Sequence, residues 1–384
     1  MIKILYVVST LENTGPTNYL YNLLKYLDKD MYEACIITLS KEPEDSRWND
    51  FLEIGIKLES LNLSRLRGFL SASKALEDKV VEEKPHIIHS QGIRADTYCT
   101  KLKGFIILLS TIHNFPQYDY TMDYGKLLGT TMVFWHRSIL RNFYKCIGVS
   151  KAVSNNLSEN FNLKNTTYIY NGVDREIFSP IEENEKIIKR KTLGLPEKGV
   201  IWITAGSLST RKDPLTLIRL FNETFWNDNS NFLIFLGNGP LYEKCKKTAE
   251  QNRNIIFLNK IANVASYLQV ADYYISASKA EGFPLAVIEA MASGLPVFLS
   301  NIPPHKEIWD EDRQMGLVFP PNDLSKLQES IIEIKNKNKT EMSNAALRVF
   351  RSKFSADLMS KKYQELYKDI TVKQSGDKDA SMDI

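Results

Sequence analysis

Short apolar runs alternate with amphipathic stretches along this chain, and this alternation restricts the fold more than any other feature. In the first half the apolar runs are IKILYVV, ACIITLS, HIIHS, FIILLSTIH and KCIGVS, and a helical pattern covers residues 18–27. Apolar runs of this kind are typical of parallel strands buried on both faces, with helices as crossover connections. The pattern therefore predicts a doubly wound α/β fold.

The same alternation starts again after a polar stretch. The first half ends at TYIYNGVD, the charged stretch REIFSPIEENEKIIKRK follows, and from Gly199 the runs are GVIWITAGSL, NFLIFLGNG, NIIFLNK, ADYYISAS, LPVFLS and GLVF. Because 384 residues exceed what one core usually organises, we expect two Rossmann-like domains, 1–174 and 175–354, facing each other across a cleft. A helix over about 355–370 could pack back on the first domain, and the polar residues 371–384 are expected to form a disordered tail.

Composition excludes several classes of protein. Hydrophobic residues at 43% and charged residues at 25% are typical of soluble globular chains. The net charge of +3, from 49 basic and 46 acidic residues spread along the chain, argues against a nucleic-acid partner. No export signal follows MIKILYVVST, and the four cysteines are far apart without a C-x-x-C pair. We therefore expect a cytoplasmic protein without disulfides or a zinc site.

The segment KAEGFPLAVIEAMASGLPVFLS, residues 279–300, carries the clearest candidate site. It is expected to leave a strand, to turn at Gly282 and Pro284, and to open a helix. Backbone amides from Phe283 to Leu285 would lie at the positive end of that helix, which is a ready anion site.

Two carboxylates belong to the same segment. Glu281 precedes the predicted helix and Glu289 lies inside it. Both could line one crevice and accept hydrogen bonds from the hydroxyl groups of a sugar and a ribose. Alternatively, Glu289 is a buried helix residue paired with a base, and Glu281 is a solvated cap.

A second candidate segment is AGSLSTRKDPLTLI, residues 205–218. A strand is predicted to end at Gly206, and Asp213 with Pro214 is typical of an N-cap and first turn of a helix. Arg211 and Lys212 lie just before that helix, where two adjacent cations would suit a departing diphosphate. The alternative is a solvated basic loop, because charged residues are common on surfaces.

The first half contributes three further candidates. His113 follows a strand in STIHNF, and Gly15 and Pro16 lie between the first strand and the first helix in STLENTGPTNYLYNL. Glycine at such a turn permits close approach of the backbone to a ligand. Asn171 and Gly172 close the extended segment TYIYNGVD. A lone histidine is often structural, and any strand-to-helix turn could contain glycine.

These segments together resemble the retaining glycosyltransferases of family 4, which have the GT-B fold. Residues 281–297 are similar to the family signature E-G-F-x-L-x-x-x-E-A-M-A-x-G-x-P-V at nearly every position. Residues 206–213 resemble G-R-L-x-x-x-K-G, with Lys212 on the phosphate-binding lysine. Ser207 stands where the family usually has arginine, and we expect Arg211 to supply that charge.

The first half resembles the same family. STIHNF is similar to its T-x-H-D turn, with His113 on the residue that contacts the donor sugar and Asn114 in place of the aspartate. The pair Gly15 and Pro16 resembles its Gly-Gly loop. The segment NGVD, from Asn171, resembles a mainly structural family segment, and we add Asn171 to the candidate substrate-binding residues.

The resemblance implies transfer of a sugar from a nucleotide-sugar to a glycan or lipid-linked acceptor, with retention of anomeric configuration and without a metal ion. It implies that Glu281 meets the donor sugar, that Glu289 binds the ribose, and that the amides between them hold the diphosphate. With His113, Arg211 and Lys212, Glu281 forms the candidate catalytic set. The D-x-D triplets 28–30 and 310–312, which are typical of metal-dependent enzymes, do not follow strand cores.

Other functions remain open from the sequence. A sugar-nucleotide epimerase or a phosphorylase could use similar paired sheets, and Ser207 would suit a non-catalytic subunit that keeps the fold. The stretch 132–146 predicts an amphipathic helix with Arg137, Arg141 and Lys145 on one stripe. Such a helix either lies on an anionic membrane surface or packs its apolar face inward.

Overall fold

Two parallel sheets organise this protein, one in each of two units. The computed structural model describes residues 1–64, 68–102, 106–226, 228–249, 252–321 and 323–382. Unit 1 is Met1–Gly172 with Ala356–Ile384, and unit 2 is Val173–Ser355. Each sheet is parallel throughout and has helices between consecutive strands. The predicted doubly wound architecture is therefore confirmed.

Unit 1 has a seven-stranded sheet among its described residues. The strands are β1 (Ile2–Val8), β2 (Tyr32–Thr38), β3 (Lys57–Ser60), β4 (Ile87–Gln91), β5 (Ile107–Ile112), β6 (Lys145–Gly148) and β7 (Thr166–Tyr168). Their order in the sheet is β3-β2-β1-β4-β5-β6-β7. The chain adds β2 and β3 on one side of β1 and β4 to β7 on the other side, so the strand order reverses between the neighbours β1 and β4.

The helices of the first segment of unit 1 follow the strands in alternation. They are α1 (Gly15–Lys25), α2 (Trp48–Glu53), α3 (Gly68–Glu83), α4 (Ile93–Cys99), α5 (Pro116–Tyr124), α6 (Lys126–Leu140) and α7 (Lys151–Glu159). Pro16 lies in the first turn of α1, where a helix needs no backbone N–H donor. The buried face of α1 packs in the core next to β1 through Leu20, Leu23 and Leu24.

Unit 2 repeats this plan with six strands among its described residues. They are β8 (Val200–Ala205), β9 (Asn231–Leu236), β10 (Ile255–Phe257), β11 (Tyr273–Ser276), β12 (Val297–Ser300) and β13 (Gly316–Phe319), in the order β10-β9-β8-β11-β12-β13. The helices are α8 (Glu183–Thr192), α9 (Pro214–Thr224), α10 (Tyr242–Ala249), α11 (Val264–Val270), α12 (Leu285–Ala292), α13 (Pro303–Trp309), α14 (Leu324–Lys335) and α15 (Lys339–Val349).

The last helix, α16 (Ala356–Met382), belongs to unit 1. Its Tyr363 and Tyr367 are fully buried in the core of that unit. The hydroxyl of Tyr367 lies 2.9 Å from that of Tyr6 and 2.8 Å from Nδ1 of His89. Burial lowers the pKa of His89 to about 3, with a smaller contribution from His113, so the ring is neutral.

Two predicted elements differ from the structure. The sequence predicts a disordered tail over 371–384, whereas α16 continues through Met382, and residues 383–384 lie outside the described residues. The tail contains no proline, and its single Gly376 costs a helix only about 1 kcal/mol, so the helix can propagate. The helix predicted over 132–146 is α6, which ends at Leu140, because Lys145 and Cys146 pair in the sheet with β5. None of the described helices combines the length and the apolar character needed to span a bilayer.

Candidate active site

The candidate site of unit 2 lies where the strand order of its sheet reverses. β8 and β11 are neighbours, with β9 beyond one and β12 beyond the other. Ligands of doubly wound sheets bind outside the carboxyl ends of the strands at such a switch point. The loop after β8 carries Arg211 and Lys212, and the loop after β11 carries Glu281. The topology thus joins segments that are 70 residues apart in the sequence.

Direct contacts hold the two loops together. The backbone N–H of Lys279 donates to the carbonyl of Arg211 over 2.8 Å, and Nζ of Lys279 lies 2.9 Å from Oδ2 of Asp213. Asp213 takes a left-handed conformation with φ of 46°, which turns the chain sharply into Pro214 at the start of α9. Asp213 occupies the predicted N-cap position, but its carboxylate accepts from the hydroxyl of Thr216 and caps no backbone N–H.

Both predicted cations converge on one carboxylate. Nζ of Lys212 lies 2.6 Å from Oε1 of Glu281, and Nη1 of Arg211 lies 2.8 Å from Oε2. Glu281 is only 5% exposed, and its burial alone would raise its pKa. Lys212 and Arg211 outweigh that effect and hold the pKa of Glu281 at about 2. The carboxylate is therefore ionised, and the two cations together exceed its charge.

Gly206 makes room for the lysine. Its φ of 136° is unusual for residues with a side chain, and a Cβ atom there would lie 3.3 Å from Cε of Lys212. Ser207, the residue in the place of the expected arginine, lines a small cavity together with Gly206 and Lys212. A short side chain at this position thus lies beside the lysine that reaches Glu281.

The start of α12 provides backbone donors, but not the ones that the sequence predicts. The helix begins at Leu285 with Pro284 as its N-cap residue. Because Pro284 has no N–H, the predicted series of amides from Phe283 to Leu285 is interrupted. Among the described residues, the backbone N–H groups of Leu285 and Ala286 have no hydrogen-bond acceptor. The donors aimed out of the helix start therefore include Ala286, which the sequence prediction left out.

The remaining residues of this motif are packed into the unit. Gly282 and Phe283 are buried, and the ring of Phe283 lies 5.2 Å from that of Phe354. Glu289 lies in α12 and is partly buried. Burial raises the pKa of Glu289 to about 7, and Lys212 partly opposes this rise. The two carboxylates of the motif therefore differ in protonation near neutral pH, which the sequence does not reveal.

In unit 1, two predicted site residues line one cavity of about 340 Å³. His113 and Pro16 line it, whereas Gly15 begins α1 beside it and is not among the lining residues. Nε2 of His113 lies 3.1 Å from Oε1 of Gln91, and the His113 ring packs edge-on against Tyr19 at 4.9 Å. Burial lowers the pKa of His113 to about 3, so the ring is neutral. The cavity lies at the carboxyl ends of β1 and β4, the switch point of this sheet.

Asn171 lies elsewhere in unit 1. It is buried and is not among the residues that line the cavity. Its neighbour Gly172 accepts a hydrogen bond from Nδ2 of Asn22 over 2.9 Å, and the N–H of Gly172 contacts Sδ of Met359. The NGVD segment thus fastens the end of the first chain segment to α1 and α16, and a substrate-binding role for Asn171 stays a prediction.

Comparison with known families identifies the chain. Residues 14–177 match the model described as Glycosyltransferase Family 4, and residues 185–347 match the model described as Glycosyl transferases group 1. The chain belongs to these glycosyltransferases.

Curated relatives of this glycosyltransferase include proteins named for O-antigen biosynthesis and for galactosyl transfer to a lipid-linked diphosphate. It is 28% identical to the O-antigen biosynthesis glycosyltransferase WclY of Escherichia coli, over 96% of this chain and 99% of that protein. It is 30% identical to an Escherichia coli UDP-Gal:alpha-D-GlcNAc-diphosphoundecaprenol alpha-1,3-galactosyltransferase, over 35% of this chain and 36% of that protein. The fold is that of Anabaena Alr3699/HepE in complex with UDP-glucose, with a TM-score of 0.80 and 18% identity over 96% of this chain and 100% of that chain.

His305 is a polar residue of this glycosyltransferase that the sequence reasoning missed. It lies fully buried in α13, and its Nδ1 is 3.0 Å from the carbonyl of Ser300. Because a carbonyl only accepts, Nδ1 carries the hydrogen, and Nε2 has no partner among the described residues. Burial lowers the pKa of His305 to about 4, although Glu281 opposes this. Its position just after β12, at the same sheet edge, is the signal that could have revealed it.

One acidic group away from both sites has spacing suited to a cation. Glu59, Glu82 and Glu83 have carboxylate oxygens close to one another, the only such group of ligand residues in the described part of the chain. Lys57 and Lys79 pair with these carboxylates and offset two of the three negative charges. None of the three belongs to the candidate catalytic set.

Proposed function

We propose that this glycosyltransferase transfers a sugar from a nucleoside diphosphate sugar to a hydroxyl group of a lipid-linked glycan, with retention of anomeric configuration and without a metal ion. The observation that carries the proposal is the convergence of Lys212 and Arg211 on Glu281, beside the free amides of α12. These groups form a cationic site in unit 2 that suits a diphosphate.

The leaving group needs the most stabilisation. When the bond between the anomeric carbon and the phosphate oxygen breaks, negative charge grows on the diphosphate. Lys212, Arg211 and the N–H groups at the start of α12 are already held in place, so they can stabilise that charge without reorganisation. Removal of one donor of this kind typically costs about 100- to 1,000-fold in rate.

The carboxylates would bind the hydroxyl groups of the donor. Glu281 is ionised, so its oxygens accept hydrogen bonds from the sugar while they hold Lys212 and Arg211. Glu289, with a pKa of about 7, can accept from or donate to a ribose hydroxyl near neutral pH. His305 offers a buried acceptor at Nε2 on the same side of the sheet.

In this proposal, the anomeric configuration is retained because the acceptor oxygen attacks the anomeric carbon on the same face that the diphosphate leaves. The acceptor oxygen forms the new bond to the anomeric carbon as the phosphate oxygen departs with the bonding electrons. The departing phosphate takes the proton of the acceptor hydroxyl. No separate general base is required, and His113, neutral beside Gln91, would orient the donor sugar.

A transfer assay tests the proposal. UDP-glucose, UDP-galactose, UDP-N-acetylglucosamine and GDP-mannose are each offered with N-acetylglucosamine that is diphosphate-linked to a short lipid, and products are detected by mass spectrometry. We expect one donor to give a glycosylated lipid whose new bond keeps the donor's anomeric configuration by NMR. An inverted product contradicts the mechanism, and isomerised donor without acceptor use would indicate an epimerase.

The same assay in excess EDTA tests metal independence. We expect unchanged turnover, because Lys212, Arg211 and the amides of α12 take the charge that a metal would otherwise neutralise. Loss of turnover that Mg²⁺ or Mn²⁺ restores would contradict this part of the proposal.

The choice of acceptor rests on the relatives. WclY is named for O-antigen biosynthesis, and the galactosyltransferase is named for an acceptor on diphosphoundecaprenol. We propose the same class of acceptor here, a glycan on a lipid diphosphate, in the assembly of a bacterial surface polysaccharide. The four cysteines are buried and free, which suits action in the reducing cytoplasm.

A lipid-linked acceptor requires approach to a membrane, and α5 and α6 supply a suitable surface in unit 1. We call this surface the aromatic face; its exposed apolar residues are Tyr118, Met122, Tyr124, Leu127, Leu128, Phe134 and Trp135. Leu127 is 88% exposed, the highest value among the large apolar side chains described. The same surface region has basic residues at the start and end of α6, namely Lys126, Arg137 and Arg141. We propose that this face rests on the anionic inner surface of the cytoplasmic membrane.

A further inference from the structure

The cavity of unit 1 contains a chain of hydrogen bonds that the catalytic proposal does not use. Nε2 of His136 lies 2.7 Å from Oδ2 of Asp96, and Nδ1 of the same ring lies 2.8 Å from the hydroxyl of Tyr120. His136 and Tyr120 line the cavity, together with His113. Asp96 lies behind them and is fully buried.

The carboxylate of Asp96 is the acceptor at the buried end of this chain. Oδ1 of Asp96 accepts from the hydroxyls of Ser90 and Ser110, over 2.5 Å and 2.9 Å. Oδ2 accepts from the ring N–H at Nε2 of His136, because carboxylate oxygens are hydrogen-bond acceptors. The other ring nitrogen, Nδ1, shares one hydrogen with the hydroxyl of Tyr120.

This arrangement leaves a specific group for a ligand. A phenol hydroxyl can both donate and accept, and among the described residues its hydrogen-bond partner is His136. The hydroxyl therefore keeps hydrogen-bonding capacity for a molecule in the cavity, and His136 and Asp96 hold it in place.

Gln91 supplies the complementary group in the same cavity. It is 7% exposed, and its Oε1 is taken by His113. Its Nε2 is buried without a hydrogen-bond partner among the described residues, which is costly unless a ligand or water accepts from it. A cavity that offers an amide donor and a phenol hydroxyl suits a hydroxyl group, which can both donate and accept.

The backbone holds Tyr120 in position. α5 crosses α6 at Gly129, where a Cβ atom would lie 2.4 Å from the carbonyl oxygen of Tyr120. Only glycine permits this approach, and it sets the distance from α5 to His136 on α6. The tyrosine is thus fixed at its backbone and at its hydroxyl.

We propose that Tyr120 binds a hydroxyl group of the acceptor sugar, and that His136 and Asp96 are positioning residues that act through Tyr120. The proposal rests on the proposed function, because it assigns the acceptor of the same reaction to this cavity. The acceptor class is a sugar that presents a hydroxyl as both donor and acceptor.

The test compares two reactions of the same protein. Transfer to the lipid-linked N-acetylglucosaminyl diphosphate is measured alongside the slow hydrolysis of the donor without acceptor. We expect Tyr120→Phe to lower kcat/KM for the acceptor about three- to tenfold more than it lowers donor hydrolysis, which corresponds to one neutral hydrogen bond. Tyr144→Phe is the matched control and should change neither rate, because Tyr144 is an exposed tyrosine of unit 1 outside both the cavity and the aromatic face.

A double-mutant cycle tests the positioning role. His136→Gln should raise the acceptor KM in the unmodified protein and should add little in the Tyr120→Phe background, because the hydroxyl that it orients is already absent. Circular dichroism and thermal unfolding check that each variant is folded. If a fold defect in His136→Gln prevents the cycle, the Tyr120→Phe rates decide the proposal on their own.

Two results would overturn the inference. Equal losses of transfer and hydrolysis in Tyr120→Phe, or no loss in either, would mean that Tyr120 does not touch the acceptor. Additive effects of the two substitutions would mean that His136 does not act through Tyr120. Absence of transfer in the unmodified protein with every donor would instead contradict the proposed function, so the two failures are distinguishable.

Discussion

Lys212 and Glu281 form an ion pair of 2.6 Å across the carboxyl ends of two neighbouring strands. The pair keeps the buried Glu281 ionised, and it holds the ammonium group at the sheet edge where the proposed reaction would release a diphosphate. Arg211 shares the same carboxylate at 2.8 Å, so the cluster keeps a positive excess.

Replacement of the lysine should remove most of the activity. We expect Lys212→Ala to lower kcat about 100- to 1,000-fold, because a preorganised cation at the leaving group is lost. Arg211 still pairs with Glu281, so the fold should survive, as thermal unfolding can verify. Lys279→Ala is the matched control: its ammonium pairs with Asp213 in the same loops and should leave kcat within a few-fold. Near-normal turnover in Lys212→Ala would refute the role of this lysine.

Glu281 should link stability to acid pH. Its pKa of about 2 in the folded protein lies below that of an unfolded glutamate, so its contribution is complete above the unfolded pKa and is lost as pH falls toward 2. The shift corresponds to about 3 kcal/mol in the free energy of unfolding. Urea titrations from pH 6 to pH 3 should find that the advantage of the unmodified protein over Glu281→Gln shrinks toward acid. A constant difference would be inconsistent with the ion pair.

Glu289 should have the opposite effect. Its pKa of about 7 is raised by burial, so folding favours the protonated form and stability falls as pH rises from about 4.5 through 7. We expect Glu289→Gln, which is neutral at every pH, to be more stable than the unmodified protein at pH 8, and this gain to disappear near pH 4.5. The same urea titrations, extended to pH 8, measure both limits. A gain that persists unchanged into acid would argue against a titrating Glu289.

Gly206 should be required for the position of the lysine. Gly206→Ala places a Cβ atom 3.3 Å from Cε of Lys212 and keeps a positive φ, so we expect a loss of kcat of more than about tenfold and a stability loss of about 1–2 kcal/mol. Gly194→Ala is the control, since it also has a positive φ but its Cβ would meet nothing within 4 Å. It should lose stability without losing kcat. Parallel loss of activity in both variants would indicate strain alone.

The aromatic face should control membrane binding. We expect the double variant Leu127→Ser with Trp135→Ser to lower sedimentation with anionic phosphatidylglycerol vesicles at least tenfold, because each large apolar side chain contributes about 1.5–3 kcal/mol when buried in lipid. Ile188→Ser, in α8 of unit 2, removes an apolar side chain that is 68% exposed and should have no effect. Equal binding of all variants would exclude this face as the contact.

Much of the fold could be predicted from local patterns. The apolar runs predict the strands because a strand covered on both faces needs apolar side chains at every position, whatever its partners are. IKILYVV becomes β1 and LPVFLS contains β12 for that reason. Pattern overlap explains the error in α6, because Lys145 and Cys146 fit a helical stripe as well as a strand, and pairing with β5 decides between them.

Within the candidate site, the sequence identified the groups but not their states. The sequence predicts that Lys212, Arg211 and Glu281 share a site. The structure adds that both cations form ion pairs with the carboxylate of Glu281. The different pKa values of Glu281 and Glu289 depend on burial and on the distance to the cations, which no spacing in the sequence encodes. His305 escaped notice because its neighbour Glu281 lies on another strand end.

The sequence by itself determined the class of the protein: two doubly wound sheets, a motif of glycines and carboxylates at a helix start, and a pair of cations before another helix. The tertiary structure decided which of these meet. Strand order makes β8 a neighbour of β11, and this brings Lys212 to Glu281. Strand order also makes β1 a neighbour of β4 in unit 1. In that unit, the packing of α4, α5 and α6 joins Asp96, His136 and Tyr120 into one chain of hydrogen bonds. Periodicity records which side chains are buried, whereas hydrogen bonds and ion pairs between distant segments exist only after the chain has packed.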